Sequence, residues 1–153
     1  MLLSDLINFS GVKATIVSPA GCDRYDSDLE IIGITSNSNE VKDGFLFAAL
    51  YGSNFDGAQF VPKAVARGAV AILIDETSEV LSKPITVHAI STDNPRRLFA
   101  LMSAKFYRNQ PDFIAAVTGT NGKTSVVEFS RQLWAMNGVR SASRGTLGVI
   151  ADN

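Results

Sequence analysis

One cysteine, Cys22, occurs in 153 residues, so no disulfide can close within the chain and no thiolate metal cluster can form in it. A reducing compartment fits that usage. Neither sign of charge is in excess. The 14 Lys plus Arg against 15 Asp plus Glu leave a formal charge of −1, which argues against a counterion-driven nucleic-acid surface or a polybasic membrane anchor. Long apolar runs are missing too. Residues 68–74 and 113–117 fall far short of the roughly 20 residues that span a bilayer. The start, Met1-Leu2-Leu3-Ser4-Asp5, lacks the basic segment of a secretion signal, so the cytoplasm is the expected location. Glycine (12) and proline (5) are at average usage, which excludes collagen-like and linker-dominated chains. What is present, 46% hydrophobic and 19% charged residues, is the composition of one or two compact globular units.

The order of patterns predicts an α/β fold. Leu2, Leu3, Leu6 and Ile7 follow a helical period stopped near Gly11. Residues 14–17 and 29–35 read as strands separated by a Pro, Gly and Asp-rich loop, and 45–50 reads as a strand without alternation, buried on both faces. A helix is expected over 58–67, closed by Gly68, then strands at 69–74 and 85–90. Asp93 or Asn94 caps a helix to Tyr107 with Pro95 in its first turn and Leu98, Leu101, Met102 and Lys105 inward. A strand at 113–117, a helix at 123–137 and the start of one more strand at 139–143 complete the series. The expected division is a small α/β unit over 1–91 and the truncated beginning of a second α/β domain over 92–153, since that stretch offers too little surface for an independent parallel sheet.

The strongest chemical signal is Thr118-Gly119-Thr120-Asn121-Gly122-Lys123-Thr124-Ser125, set between a buried apolar stretch and an amphipathic helix. Two glycines let the backbone curl so that successive N–H groups converge on an anion, and the helix that begins there adds the positive end of its dipole. In this division of labour Lys123 reaches the β- and γ-phosphates and the Thr124 hydroxyl sits on Mg²⁺. The match is not a full Walker A pattern, which would need glycine where Val117 stands.

A second constellation joins Thr35-Ser36-Asn37-Ser38-Asn39, Gly44 and Phe47 with Ser53-Asn54-Phe55-Asp56-Gly57. Small hydrogen-bonding residues at strand ends suit a neutral base and ribose; two ordinary polar turns fit the same residues, and spacing leaves both readings open. His88, inside an expected strand with no second ligand nearby, reads as a core histidine rather than a base or metal ligand. Cys22 has no basic partner in view. Asp26, Asp28 and Glu30 alternate as a solvated edge, Phe129 and Trp134 read as helix packing, and Arg96 and Arg97 as solvent-facing cations near a helix start.

Taken in order, Ile34 to Ala49, Gly52, Asp56-Gly57, Phe60, Ala64, Gly68-Ala69, Asn94-Pro95-Arg96, Phe106-Tyr107, Pro111, Val117 to Ser125 and Gly145-Thr146-Leu147-Gly148 resemble the Mur ligase family over nearly the whole chain. The resemblance implies a Rossmann-like UDP-binding domain followed by the first strand, phosphate loop and helix of an ATPase domain. It also implies an ATP-dependent ligase of cytoplasmic peptidoglycan precursor synthesis. That ligase adds the third amino acid, diaminopimelate or lysine, to UDP-N-acetylmuramoyl-L-alanyl-D-glutamate through an acyl phosphate. By the same match Lys123 is catalytic, Gly119, Thr120, Asn121, Gly122, Lys123, Thr124 and Ser125 bind ATP, and Thr124 holds Mg²⁺. Ser36, Ser38, Ser53, Asn54 and Phe55 contact the UDP moiety. The chain departs from the family in carrying Asn37 and Asn39 where aspartate and arginine are usual; amides replace hydrogen bonds there but not a Coulomb attraction. Partners implied are the UDP-linked dipeptide, ATP and an amino acid, without nucleic acid or membrane. The full-length enzyme is expected to be a monomer, and self-association of the fragment is left open. On this view residues 1–153 alone turn over no substrate. Folylpolyglutamate synthases carry a similar loop but normally lack a UDP-sugar domain before it, and a non-catalytic nucleotide-binding module is the other alternative.

Overall fold

The computed structural model describes residues 1–19, 29–52 and 55–151. Two compact units divide between Gln110 and Pro111.

In the first unit the strands β1 (Thr15–Val17), β2 (Gly33–Thr35), β3 (Phe45–Ala48), β4 (Ala69–Asp75) and β5 (His88–Thr92) form one sheet in the order β1-β5-β4-β3-β2. β2 to β5 run parallel and β1 is antiparallel to β5. Helices α1 (Leu3–Ser10) and α3 (Pro95–Tyr107) supply one face of the core, where Leu3, Leu6, Leu98 and Met102 meet Leu46, Leu73 and Ile90. Helix α2 (Val61–Ala66) covers the other, with Val61 and Ala64 against Phe47, Ile72 and Ile74. Alternate residues of β3 and β4 therefore serve opposite layers, which is why neither strand alternates between apolar and polar.

Several element boundaries differ from those the sequence predicts. Residues 29–32 do not extend β2, because the Leu3 N–H donates to the Leu29 carbonyl (2.9 Å) and the Ile31 N–H to the Met1 carbonyl (2.8 Å). The helix expected over 58–67 is split into a 3-10 turn, Gly57–Phe60, and α2. Pro62 has no N–H for the Ala58 carbonyl, and the Val61 N–H takes that acceptor instead. β5 begins at His88, which is buried, and not at Ile85. The Asn94 side chain caps α3 by accepting from the Arg97 N–H (3.1 Å). That helix buries its stripe in the first unit, so the compact unit runs to Gln110 and not to residue 91.

The second unit holds α4 (Lys123–Met136) and a two-stranded hairpin, β6 (Ala142–Gly145) and β7 (Gly148–Ala151). Residues 113–117 form no ladder, contrary to the strand expected there. A lone apolar stretch has no neighbouring strand to take its N–H and C=O groups, and the Phe113 ring packs edge-on against Trp134 instead, centroids 5.7 Å apart. Phe129, expected to pack, is 62% exposed. Among the described residues no helix is long and apolar enough to cross a membrane.

Candidate functional site

The phosphate-loop candidate is built by the chain reversal before α4. Gly119 has φ 145° and Gly122 φ 75°, the left-handed region that glycine enters without penalty, and Gly122 is the N-cap of α4. The Val126 N–H donates to the Gly122 carbonyl (3.0 Å), closing the first helical turn. Among the described residues none accepts from the backbone N–H groups of residues 119–125, and these residues are exposed, so that run of donors is open to solvent at the head of the helix. Lys123 folds across the loop and its ammonium donates to the carbonyls of Gly119 and Thr120, the latter at 3.2 Å. A phosphate oxygen would compete with those carbonyls for the same cation.

Lys123 and Thr124 also line a cavity of about 210 Å³, whose other wall is the β6–β7 hairpin from Ser143 to Gly148. Gly145 pairs with Gly148 across a two-residue turn of Thr146 and Leu147, with Gly148 at φ 86°. Residues 139–143 alone hid this hairpin from the sequence; the glycine pair flanking two residues was the signal for it. The hairpin is tied to α4 through Glu128. The Arg131 guanidinium donates to both carboxylate oxygens, through Nη2 to Oε1 (2.6 Å) and Nε to Oε2 (3.2 Å), and the Ser143 hydroxyl donates to Oε2 (3.1 Å). With Gln132 also donating, these bonds hold the Glu128 carboxyl down to about 2, Arg131 being the main cause.

The second candidate group lies at the carboxyl ends of the adjacent parallel strands β2 and β3, in register through Thr35 and Phe47. Residues 35–40 form a tightly bonded turn. The Asn37 N–H donates to Thr35 Oγ1 (3.0 Å), the Asn39 N–H to Asn37 Oδ1 (3.0 Å) and the Glu40 N–H to the Asn37 carbonyl (3.0 Å). The Glu40 carboxylate accepts from the Thr35 hydroxyl (3.2 Å) and the Asn37 amide (3.0 Å). Ser38 is buried in this turn and Ser36 is exposed. Across the neighbouring strand end, Phe55 is 65% exposed, and Ser53 and Asn54, like Cys22, Asp26 and Asp28, lie outside the described residues. Arg96, expected to face solvent, donates from Nη2 to the Tyr51 carbonyl and so ties α3 to this loop. Asp56 caps the following turn by accepting from the Ala58 N–H (2.9 Å).

Two cations that the sequence did not single out grip the turn. Lys63 donates to Asn39 Oδ1 (2.7 Å), and Arg67 donates from Nη2 to the Asn39 carbonyl (2.9 Å). A larger groove of about 700 Å³ lies beside α2, walled by Val61, Val65, Val80 and Ile85, and takes in none of the expected UDP-contact residues.

Comparison with known proteins places these features in a family. The chain is 47% identical over 124 residues to the UDP-N-acetylmuramoyl-L-alanyl-D-glutamate--2,6-diaminopimelate ligase of Brucella melitensis, covering 81% of this chain and 25% of that protein. Against the enzyme of the same name from Rhizobium meliloti the identity is 42% over 99% of this chain and 30% of that protein. The chain thus spans between a quarter and a third of the length of these relatives. The crystal structure of MurF ligase from Thermotoga maritima in complex with ADP superposes with a TM-score of 0.53 at 26% identity, covering 74% of this chain and 24% of that one. Residues 30–118, from the end of the segment before β2 to the threshold of the 119–125 loop, match the family described as Mur ligase family, catalytic domain, and the chain belongs to the Mur ligase family.

Proposed function

We propose that the chain works as the nucleotide-handling part of an ATP-dependent amide-bond ligase of peptidoglycan precursor synthesis. The ligase joins diaminopimelate to UDP-N-acetylmuramoyl-L-alanyl-D-glutamate, the reaction named for the Brucella and Rhizobium relatives. Residues 1–110 would hold the UDP moiety and residues 111–153 would contribute the start of the ATP site. The observation that carries this reading is the run of exposed, unbonded backbone donors at 119–125, with Lys123 and Thr124 on one cavity, in a member of this family.

In this reading the γ-phosphoryl group passes to an oxygen of the substrate carboxylate, with ADP leaving. The amine then attacks the acyl carbon and expels phosphate. The loop amides and the Lys123 ammonium neutralise charge that builds on the phosphoryl oxygens, which is positioning and electrostatics rather than proton transfer. Thr124 offers a single hard oxygen on the cavity wall, which suits Mg²⁺, an ion that keeps several waters and takes few protein ligands beside phosphate. Bound there, Mg²⁺ would supply further charge neutralisation. At the other site the Ser38 hydroxyl, with Ser36, Ser53, Asn54 and Phe55, would contact uracil and ribose. The work is placed in the cytoplasm.

In the full-length enzyme Lys123→Ala is expected to lower kcat by roughly 10²–10³, the cost typical of losing one preorganised charge-stabilising donor, with the circular dichroism spectrum unchanged. Residues 1–153 alone are expected to form no amide. Unchanged turnover in the variant, or amide formation by the short chain, would overturn the reading. Binding of UDP separates this function from a folylpolyglutamate-type ligase.

A further inference from the structure

The turn that carries Ser38 is tied to the rest of the first unit by charge from another element. Asn39 presents two acceptors and both are taken by cations, Oδ1 by Lys63 of α2 and the carbonyl by Arg67 just beyond it. Arg67 Nε also approaches the Val41 carbonyl at 3.4 Å. Inside the turn Glu40 supplies the matching anion, bonded to Thr35 and Asn37. Hydrogen bonds with one ionised partner are about twice as strong as neutral ones, and those from α2 reach across 24 and 28 residues of sequence. Exposed contacts of this kind add little to global stability. The unit is held instead by the apolar layers that include Ile34, Leu46, Phe47 and Ala64. What the cations set is the place of the turn relative to α2, and so the place of Ser38, which is 8% exposed within it. The uncharged Asn37 and Asn39 thus stand between charged neighbours. A cation reaches position 39 from α2, and an anion sits one residue on.

We propose that Lys63 and Arg67 are positioning residues for the UDP-linked substrate: they hold the Asn37–Glu40 turn so that Ser38 meets the uridine. This rests on the reading of Ser38 given above. In the full-length enzyme the double substitution Lys63→Ala, Arg67→Ala is expected to raise KM for the UDP-linked substrate about tenfold. It should change kcat less than twofold and leave KM for ATP unchanged. Lys63→Arg, which can still donate to Asn39 Oδ1, is expected to keep the wild-type KM. Should the double variant fail to fold, Asn39→Ala removes the Oδ1 acceptor of Lys63 without touching α2, leaves the carbonyl that Arg67 bonds, and is expected to raise the same KM severalfold. An unchanged KM in the folded double variant, or in Asn39→Ala where the double variant does not fold, overturns the proposal, as does a loss confined to kcat. Ser38→Ala measured alongside separates the two levels. If it leaves KM unchanged, the uridine site itself is misplaced and the proposal falls with it. If it raises KM while the cation variants do not, the positioning role alone is wrong.

Discussion

Glu128 shows how one carboxylate on helix α4 can hold a second element in place. Its bonds from Arg131, Gln132 and Ser143 all favour the ionised form, so its folded value near 2 lies below the ordinary 4.5. The contribution of such a group to stability is present above the unfolded value and is lost as pH falls from about 4.5 through about 2. The tie between α4 and β6 is therefore intact at neutral pH and weakens only in strong acid. Carbon-detected NMR titration of the Glu128 carboxyl is expected to give a midpoint near 2 in the wild type, moving up toward the ordinary range in Arg131→Met and by less in Ser143→Ala. A wild-type midpoint in the ordinary range would remove the tie. None of this was visible in the sequence, where Glu128 is one acid on an amphipathic helix and Ser143 one polar residue in a presumed strand. The pairing depends on the hairpin folding back, which no local pattern around Glu128 encodes. By contrast, the chain reversal before α4 was legible in its two glycines, because the positive φ of Gly119 and Gly122 constrains residue type at those steps.

At the scale of elements, legibility followed how much of an element's support is local. Helix α3 could be bounded to within one residue, with Asp93 or Asn94 as its cap and Pro95 opening it; the structure has Asn94 as the cap. Buried strands β3 and β4 were visible as unbroken apolar runs. The strand expected at 113–117 was not formed, because its pattern says nothing about whether a partner stands beside it. Gly68 is a case where a local signal and a tertiary one coincide. It follows α2 with φ 96°, and a Cβ there would lie 2.0 Å from Asp43 Oδ1 and 2.7 Å from Asp43 Cα. Gly138, after α4, has φ 75° but nothing within 4 Å of the same atom. Gly138→Ala therefore carries conformational strain alone, on the order of 1 kcal/mol, whereas Gly68→Ala adds a clash with backbone and should cost about 2–3 kcal/mol more. Urea unfolding followed through each unit is the measurement. Equal losses at the two sites would show that the Asp43 contact yields freely and that position 68 needs glycine only for its φ.

At the scale of the molecule the two units differ in how much apolar surface they bury. The first has a sheet with both faces covered and fully buried residues on each, among them Leu46, Ile72, Leu73 and Ile90. In the second, Ser143 is the one buried residue among those described, and Val126, Phe129, Leu133 and Met136 of α4 are each at least half exposed. Burial of apolar area is the main favourable term in folding, at about 25 cal/mol per Å², so little holds α4 beyond its own backbone bonds, the Phe113–Trp134 contact and the Glu128 network. A helix of 14 residues in that position is marginal in water. Amide hydrogen exchange on residues 1–153 is then expected to divide at residue 110. The amides of β4 and β5 should exchange only through global opening of the first unit. Those of α4 should exchange at least a hundredfold faster, through local fraying. Comparable protection in α4 and β4 would mean that the second unit is held by more than its own contacts. The proposed phosphate loop sits at the head of this weakly supported helix, so any nucleotide affinity of the chain should be low, and ADP should slow exchange first at residues 119–126. Protection appearing elsewhere in the chain, with none at the loop, would move the nucleotide site away from Lys123.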